Sequence, residues 1–411
     1  MKTKSQVILS LVSLFAAIQA FGLTSAQQET SVRSVTTGCP GFTITPPNVG
    51  SGVVVNAASF GVSTGNTGAQ NYADFVNAIA YCKSNSVYKL VVNPGTYYIG
   101  NYGSTYTADL YFNGLHDFIF DGQGSTFLFQ AKNYFVEVNG CTRVQFQNLT
   151  LNWDWSLEPV QSLTMITNID ANGNYIDLAY PYESNPSPTA NVYEIDEVDG
   201  LNYDCAHSGT GVIGVWQMNT NLTTKISGNV IRFFSNTNVV GKNWFHENGA
   251  YVGQYSVIRH YSYEHHGVYS YGNNNLTFTN VTMYSTLGMG YLFTDNQYYQ
   301  IINSGIVREP GSIYHFSSAA DGIHMANSFG YFKIQNVEIA HAGDDSINIH
   351  DTLSQGITVL SNNKLVADNA ISWRNPYNPG DLVELRKKDF SPLGWASLIT
   401  SSSYTDSLAH C

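Results

Sequence analysis

Four decapeptides along the chain share one pattern of apolar and polar positions. Arg143 to Asn152 reads RVQFQNLTLN and Asn275 to Tyr284 reads NLTFTNVTMY. Tyr298 to Val307 reads YYQIINSGIV and Tyr331 to Ala340 reads YFKIQNVEIA. Each has an apolar residue fourth, Asn sixth and an apolar residue ninth. The Asn column is Asn148, Asn280, Asn303 and Asn336, with a shorter interval from Asn280 to Asn303 (303 − 280) than from Asn303 to Asn336 (336 − 303). Short strands with polar turns, recurring about every 23 residues, predict the coils of a parallel β-helix. Stacked coils hold equivalent residues roughly 4.8 Å apart. The recurring Asn is then expected to form a buried amide ladder at a turn.

The rest of the chain is read around those coils. Residues 27–50 are polar and rich in Gly and Pro, a leader into the domain. Val53 to Val55 predicts a strand. Asn71 to Ser84 places Tyr72, Phe75, Val76, Ile79 and Cys82 at the spacing of an amphipathic helix, suited to cover the open end of a coil stack. Residues 51–159 make the N-terminal part of the β-helix. Over 160–245 the pattern is lost. Leu163 to Ile169 and Tyr175 to Ala179, joined through Ala-Asn-Gly-Asn, predict a hairpin in a β-rich insertion, with further strands at Val192–Ile195, Val212–Trp216 and Val230–Phe234. Coils resume over 246–370, and 371–411 reads as the start of a further β-module. The coil from Asn303 to Asn336 has roughly ten residues above the repeat. They must bulge as a loop, and Arg308 to Ser312 lie there as a candidate cleft wall.

Composition supports an all-β reading: 36 Gly, 13% aromatic and only 12% charged residues. The formal net charge of −12 argues against nucleic acid or an anionic membrane as partner. Lys2 and Lys4, an apolar run from Val7 to Ala20 and Thr24-Ser25-Ala26 read as a secretory leader cut near Ala26 (segment 1–26), which implies secretion to an extracellular site. An oxidising compartment permits disulfides among the five Cys, with Cys39–Cys82 the preferred pair and Cys411 at the very end of the chain. Asn148, Asn221, Asn275 and Asn280 begin glycosylation sequons. A buried ladder excludes Asn148 and Asn280, leaving Asn221 and Asn275 as expected acceptors.

The chemistry concentrates between residues 320 and 351. The interval from Asp321 to Asp344 (344 − 321) equals that from Asn280 to Asn303 (303 − 280), one coil. Asp321 is therefore expected to stack beside the Asp344-Asp345 pair on one face. Like charges in such a cluster let one carboxyl keep its proton while another is ionised. An acid and a base at one site are what glycosidic-bond hydrolysis requires. A bound Ca²⁺ is the other chemistry that three such acids suit. Zinc is not expected, because no His/Cys pair has ligand spacing. Ile323, Met325, Ile347 and Ile349 alternate with His324, Asn348 and His350, so the former should face the core and the latter the substrate. Trp153, Asp154 and Trp155 are candidates for sugar stacking and hydroxyl binding, and His265, His266, Arg259 and Arg308 for lining the same groove.

Asn-Leu-Thr-Leu-Asn-Trp-Asp (148–154), Gly-Met-Gly (288–290), Ala-Asp-Gly-Ile-His (320–324) and Gly-Asp-Asp-Ser-Ile-Asn-Ile-His (343–350) together resemble the β-helical α-1,3-galactosidases of glycoside hydrolase family 110. The likeness spans roughly 115 to 390 and is sharpest over 275 to 351. More distantly the chain resembles the polygalacturonases, whose downstream Gly-His-Gly and Arg-Ile-Lys motifs it lacks. The resemblance implies a right-handed parallel β-helix of the pectin lyase-like type, with the capping helix and the insertion. It also implies inverting hydrolysis of a terminal α-linked galactoside in an oligosaccharide or glycan, without cofactor or metal. The acid and base would be drawn from Asp321, Asp344 and Asp345. Two alternatives stay open: a non-catalytic sugar-binding β-helix, and a lyase, for which a basic Lys near the Asp cluster is missing. The oligomeric state is not legible.

Overall fold

The computed structural model describes residues 6–13, 42–50, 52–103, 108–187, 192–197, 223–234, 250–328, 331–350, 357–361, 364–367 and 382–404. It divides into two compact units, Thr43–His350 and a second made of Met1–Phe42 with Asp351–Cys411.

In the larger unit the chain alternates between two parallel sheets, the topology of a parallel β-helix. One sheet runs Val54–Asn56, Lys89–Val91, His116–Phe129, Thr142–Trp153, Asn274–Met283, Gln297–Ile306 and Phe332–Ile339, with Thr96–Ile99 also paired to His116–Phe129. The other, the site sheet, runs Ala108–Asn113, Tyr134–Asn139, Val268–Tyr271, Tyr291–Thr294, Ile323–Ala326 and Ile347–His350. The fourth-position column of the decapeptides is in register. Phe278 pairs with Phe146 and Ile301, and Ile301 with Ile334. Strand periodicity turns this column inward, and the Phe146 and Phe278 rings stack with centroids 5.1 Å apart. Each such buried ring contributes roughly 1.5–3 kcal/mol of transfer free energy.

The helix spans Gly68–Ser84 and so starts three positions earlier than the apolar spacing indicates. Thr67 and Gln70 form a capping box, the Gln70 N–H donating to Thr67 Oγ1 at 3.3 Å. Phe75, Ala78, Ile79 and Cys82 are buried while Val76 is exposed, so the apolar face is rotated from the predicted one. Phe75 packs on Phe120 and Phe127 of the first long strand.

The Asn column forms, but not as a buried ladder. All four Asn residues take left-handed backbone angles, with φ between +49° and +57°. Asn280, Asn303 and Asn336 are exposed and Asn148 half-buried. The amides still hydrogen-bond along the stack, Asn280 Nδ2 to Asn148 Oδ1 (2.9 Å) and Asn336 Nδ2 to Asn303 Oδ1 (2.8 Å). Asn is selected here because it tolerates the left-handed turn. The buried column lies elsewhere, just after strands of the site sheet, at Cys141, Asn273 and Asn296. There Asn296 Oδ1 accepts from the Asn273 N–H (3.1 Å) and Asn273 Oδ1 from the Cys141 N–H (2.7 Å). Exposure of the Asn column removes the reason for setting Asn280 aside as a sequon. Asn275 is half-buried with its Oδ1 accepting from the Thr45 N–H (2.7 Å), and Asn221 lies outside the described residues.

The inserted sheet is antiparallel, in the order Glu194–Glu197, Tyr255–Arg259, Gln161–Ile169, Tyr175–Ala179, Val230–Phe234 and Thr223–Ser227. The hairpin of 161–169 with 175–179 is present. The insertion runs further than 245, because Tyr255–Arg259 belongs to it and the coils resume only at Val268. The expected strand at 212–216 lies outside the described residues.

The smaller unit is a five-stranded antiparallel sheet, ordered Ile357–Ser361, Lys364–Ala367, Gln6–Ser13, Pro392–Tyr404 and Leu382–Arg386. Part of the apolar run read as a leader is thus a strand here, paired on both sides. Among the described residues no disulfide forms. Cys82 and Cys141 are buried free thiols, and burial pushes them up to about 12 and about 11. The preferred Cys39–Cys82 pair is therefore not made at Cys82, and Cys39 lies outside the described residues.

Asp109, on the first strand of the site sheet, is 0% exposed. Its Oδ1 accepts from Asn101 N–H (2.8 Å) and Asn133 Nδ2 (2.9 Å), while Oδ2 has no partner among the described residues. Burial outweighs these donors and pushes the carboxyl up to about 7. The folded state therefore keeps a proton that the unfolded chain releases near pH ~4. Stability from this group is full below pH ~4 and is lost as pH rises to about 7. We expect Asp109→Asn to gain on wild type by a few kcal/mol (on the order of 1.4 per unit) between pH 4.5 and 8. Denaturant unfolding at the two pH values measures the difference; a constant difference would refute it.

Candidate active site

The acids sit where two coils of the larger unit turn into the site sheet. His324 pairs with Asn348 and Ile323 with Ile347, so the offset between these strands (347 − 323) exceeds the Asp321-to-Asp344 interval (344 − 321) by one. Asp321 therefore stacks on Asp345, not on Asp344, and Asp344 projects from the turn one residue earlier. Backbone bonds lock this register: Gly322 N–H donates to Asp345 O and Gly290 N–H to Asp321 O, both at 2.9 Å. Close approach is possible because glycines precede the strands. A methyl at Gly290 would lie 2.6 Å from Gly322 O, and one at Gly322 would lie 2.8 Å from Ser346 O.

One carboxylate oxygen from each of Asp321, Asp344 and Asp345 lies within 4.8 Å of the others. Asp321 is 2% exposed, Asp344 half-buried and Asp345 exposed. Asp321 Oδ2 is 2.5 Å from His324 Nδ1, and His324 Nε2 is 2.9 Å from His350 Nε2, with the two rings perpendicular. Since one partner in each contact must donate, this chain couples the proton positions of Asp321, His324 and His350. Asn348 is half-buried beside His324 in register. The paired isoleucines depart from expectation. Ile323 and Met325 are buried, but Ile347 is exposed and Ile349 is 58% exposed, because they form the last rung of this unit.

Two residues not singled out as partners of the acids complete the cluster. Tyr263 Oη donates a short hydrogen bond to Asp344 Oδ2. Burial, and then that carboxylate, push the Tyr263 phenol well above its ordinary value. Arg259, 2% exposed, donates from Nη1 to the carbonyls of Ala319 and Gly343, each at 2.9 Å. Burial lowers its guanidinium from the usual value, and Asp344 opposes that. No sequence pattern connects 259–263 to 344, which is why Tyr263 escaped notice.

Other predicted groove residues are placed apart from the acids or inside the protein. Trp153 is 1% exposed in the core, its Nε1 donating to Glu158 O at 3.0 Å, so it offers no face to a sugar. Asp154 is buried, bound by Gln130 Nε2 (2.8 Å) and Ser156 Oγ (2.6 Å). Trp155, half-buried, is the tryptophan that stacks, on Tyr314 of the long loop. His266 is buried against Tyr134, and burial pushes it down to about 3, so it is neutral; its Nδ1 accepts from Met289 N–H at 3.2 Å. That makes it a brace for the Gly-Met-Gly turn. His265 takes a left-handed angle (φ +52°) and is likewise lowered by burial. Arg308 ties its own loop by donating to Tyr314 O at 3.0 Å.

No family model matches the sequence. Over 255 residues the chain is 24% identical to α-1,3-galactosidase B of Bacteroides thetaiotaomicron, a match covering 60% of this chain and 40% of that protein. Over 264 residues it is 21% identical to α-1,3-galactosidase B of Akkermansia muciniphila, covering 60% of this chain and 30% of that one. The chain thus spans less than half the length of these relatives. Among solved structures it resembles the Agl-KA catalytic domain (12% identity, TM-score 0.28, covering 77% of this chain and 47% of that one). It also resembles the tailspike protein gp49 of Pseudomonas phage LKA1 (15% identity, TM-score 0.24, covering 69% and 46%). In sequence this chain is similar, over its larger part, to curated α-1,3-galactosidases.

Proposed function

We propose that the protein is a secreted glycoside hydrolase that cleaves a terminal α-linked galactose by an inverting mechanism, on a right-handed coil stack. The single observation that carries a hydrolytic site is the convergence of Asp321, Asp344 and Asp345 oxygens within 4.8 Å on adjacent coils. In this reading one carboxyl protonates the leaving oxygen while another, ionised, activates water. The galactoside is suggested by the likeness to the two α-1,3-galactosidases. The inverting outcome rests on the family resemblance alone. Right-handedness follows the rule for parallel crossovers.

The test is NMR of the products from an α-1,3-galactosyl oligosaccharide, with the exported protein's N-terminal residue read from the same preparation. We expect β-galactose first and a mature start near Gln27. α-Galactose first would replace inversion by retention, and no galactose from any α-galactoside would end the galactosidase reading. The same three oxygens also suit a hard cation such as Ca²⁺. Activity unchanged after chelation separates the two readings, and loss restored by Ca²⁺ would favour the ion.

A further inference from the structure

We infer that Tyr263, with Arg259 beside it, is a positioning residue that orients Asp344 from the inserted antiparallel sheet. The inference deepens the proposed hydrolysis and rests on it for its kinetic arm only. Asp321 and Asp345 are each held by the coil register through their own carbonyls. Asp344 is one residue out of that register, on a turn, and its carboxylate is held from outside the coils. The Gly343 carbonyl that Arg259 binds belongs to the peptide unit joining Gly343 to Asp344, so the guanidinium sets the direction in which Asp344 leaves the turn. The same nitrogen binds Ala319 O, just ahead of Ala320-Asp321, and so ties the two acid-bearing coils to each other. Tyr263 then fixes the end of the Asp344 side chain. Both residues come from the strand Tyr255–Arg259 and its continuation. Tyr193 braces them from the same sheet, its N–H donating to Arg259 O at 2.8 Å and its ring packing edge-on to Tyr263.

Asp321 and Asp345 crowd the Asp344 carboxylate from the coils, and the Tyr263 hydroxyl holds it from the other side. His324 stands behind Asp321 and His350 behind His324. A hydroxyl that donates to one carboxylate oxygen fixes the direction of the whole side chain, so its removal frees Asp344 to turn.

The experiment compares wild type, Tyr263→Phe and Arg259→Lys by crystal structure, melting curve and steady-state kinetics. For Tyr263→Phe we expect the Asp344 carboxylate to leave its wild-type position while the melting temperature is kept. Its kcat on the α-galactoside should fall about 10- to 100-fold with KM little changed. Arg259→Lys keeps the charge but not the two-carbonyl geometry, so its kcat should also fall with KM little changed. An Asp344 carboxylate that has not moved in folded Tyr263→Phe overturns the inference. So does a loss confined to KM, which would make Tyr263 a substrate contact. Should wild type release no galactose, the functional reading fails separately and the crystal structures decide the inference alone.

Discussion

Replacement of Asp345 by Asn is expected to lower kcat by about 10²–10⁴-fold, the usual contribution of one general acid or base. Asn copies the shape of the carboxylate but neither carries its charge nor exchanges its proton. Asp345 is exposed, and its carbonyl rather than its side chain bonds Gly322, so the coil register and folding should survive. The loss therefore reports chemistry rather than stability. Asp321→Asn should be at least as damaging, because Asp321 is buried and bonded to His324. It needs a stability control, since an amide facing His324 changes which nitrogen donates. Acids that work as one unit should not add: the double variant Asp321→Asn/Asp345→Asn should fall little below the worse single variant. Steady-state rates on one α-galactoside, with melting curves of each variant, measure all of this. A folded Asp345→Asn enzyme with wild-type kcat would remove Asp345 from the proton-transfer roles.

A large structural effect is expected of Gly290→Ala. The built methyl would stand 2.6 Å from Gly322 O and 3.0 Å from Ile306 Cδ1. Ile306 can change rotamer, but the carbonyl is backbone in a paired coil and yields only if the coils part. Overpacking of this kind costs about 1–3 kcal/mol. Parting the coils also displaces Asp321, whose carbonyl accepts from Gly290 N–H at 2.9 Å, so activity should fall more than stability alone explains. Gly228→Ala is the control, since a methyl there meets nothing within 4 Å. Equal melting temperatures and rates for the two variants would show that the glycines are not needed for close approach.

Much of the architecture was legible because a parallel coil writes its period into the sequence. Phe146, Phe278, Ile301 and Ile334 fell into register as the decapeptide alignment placed them. The role of the Asn column was misread, because Asn suits both a buried amide ladder and a left-handed turn, and the spacing is the same for each. The positive φ at Asn148, Asn280, Asn303 and Asn336 decides for the turn. The buried column escaped notice because Cys141 occupies a place that Asn273 and Asn296 take in later coils. Trp153 shows the same ambiguity: an aromatic residue beside an acid reads as a sugar platform or as core, and only its 1% exposure separates them.

By itself the sequence determined that strands recur with the period of one coil, that an amphipathic helix precedes them, and that single and paired Asp fall about one coil apart. Those are local facts, set by alternation along a strand and by the length of one turn. Tertiary structure alone decided that the coil bearing the acids is one position longer than the Asp321-to-Asp344 interval, so that Asp321 meets Asp345 while Asp344 turns toward Tyr263. It also decided that Arg259, far earlier in the chain, joins the two acid-bearing coils. The reason is that the inserted sheet is antiparallel and obeys no common repeat with the coils. Its contacts with Asp344 depend on where two different sheets pack, and no period along one chain records that.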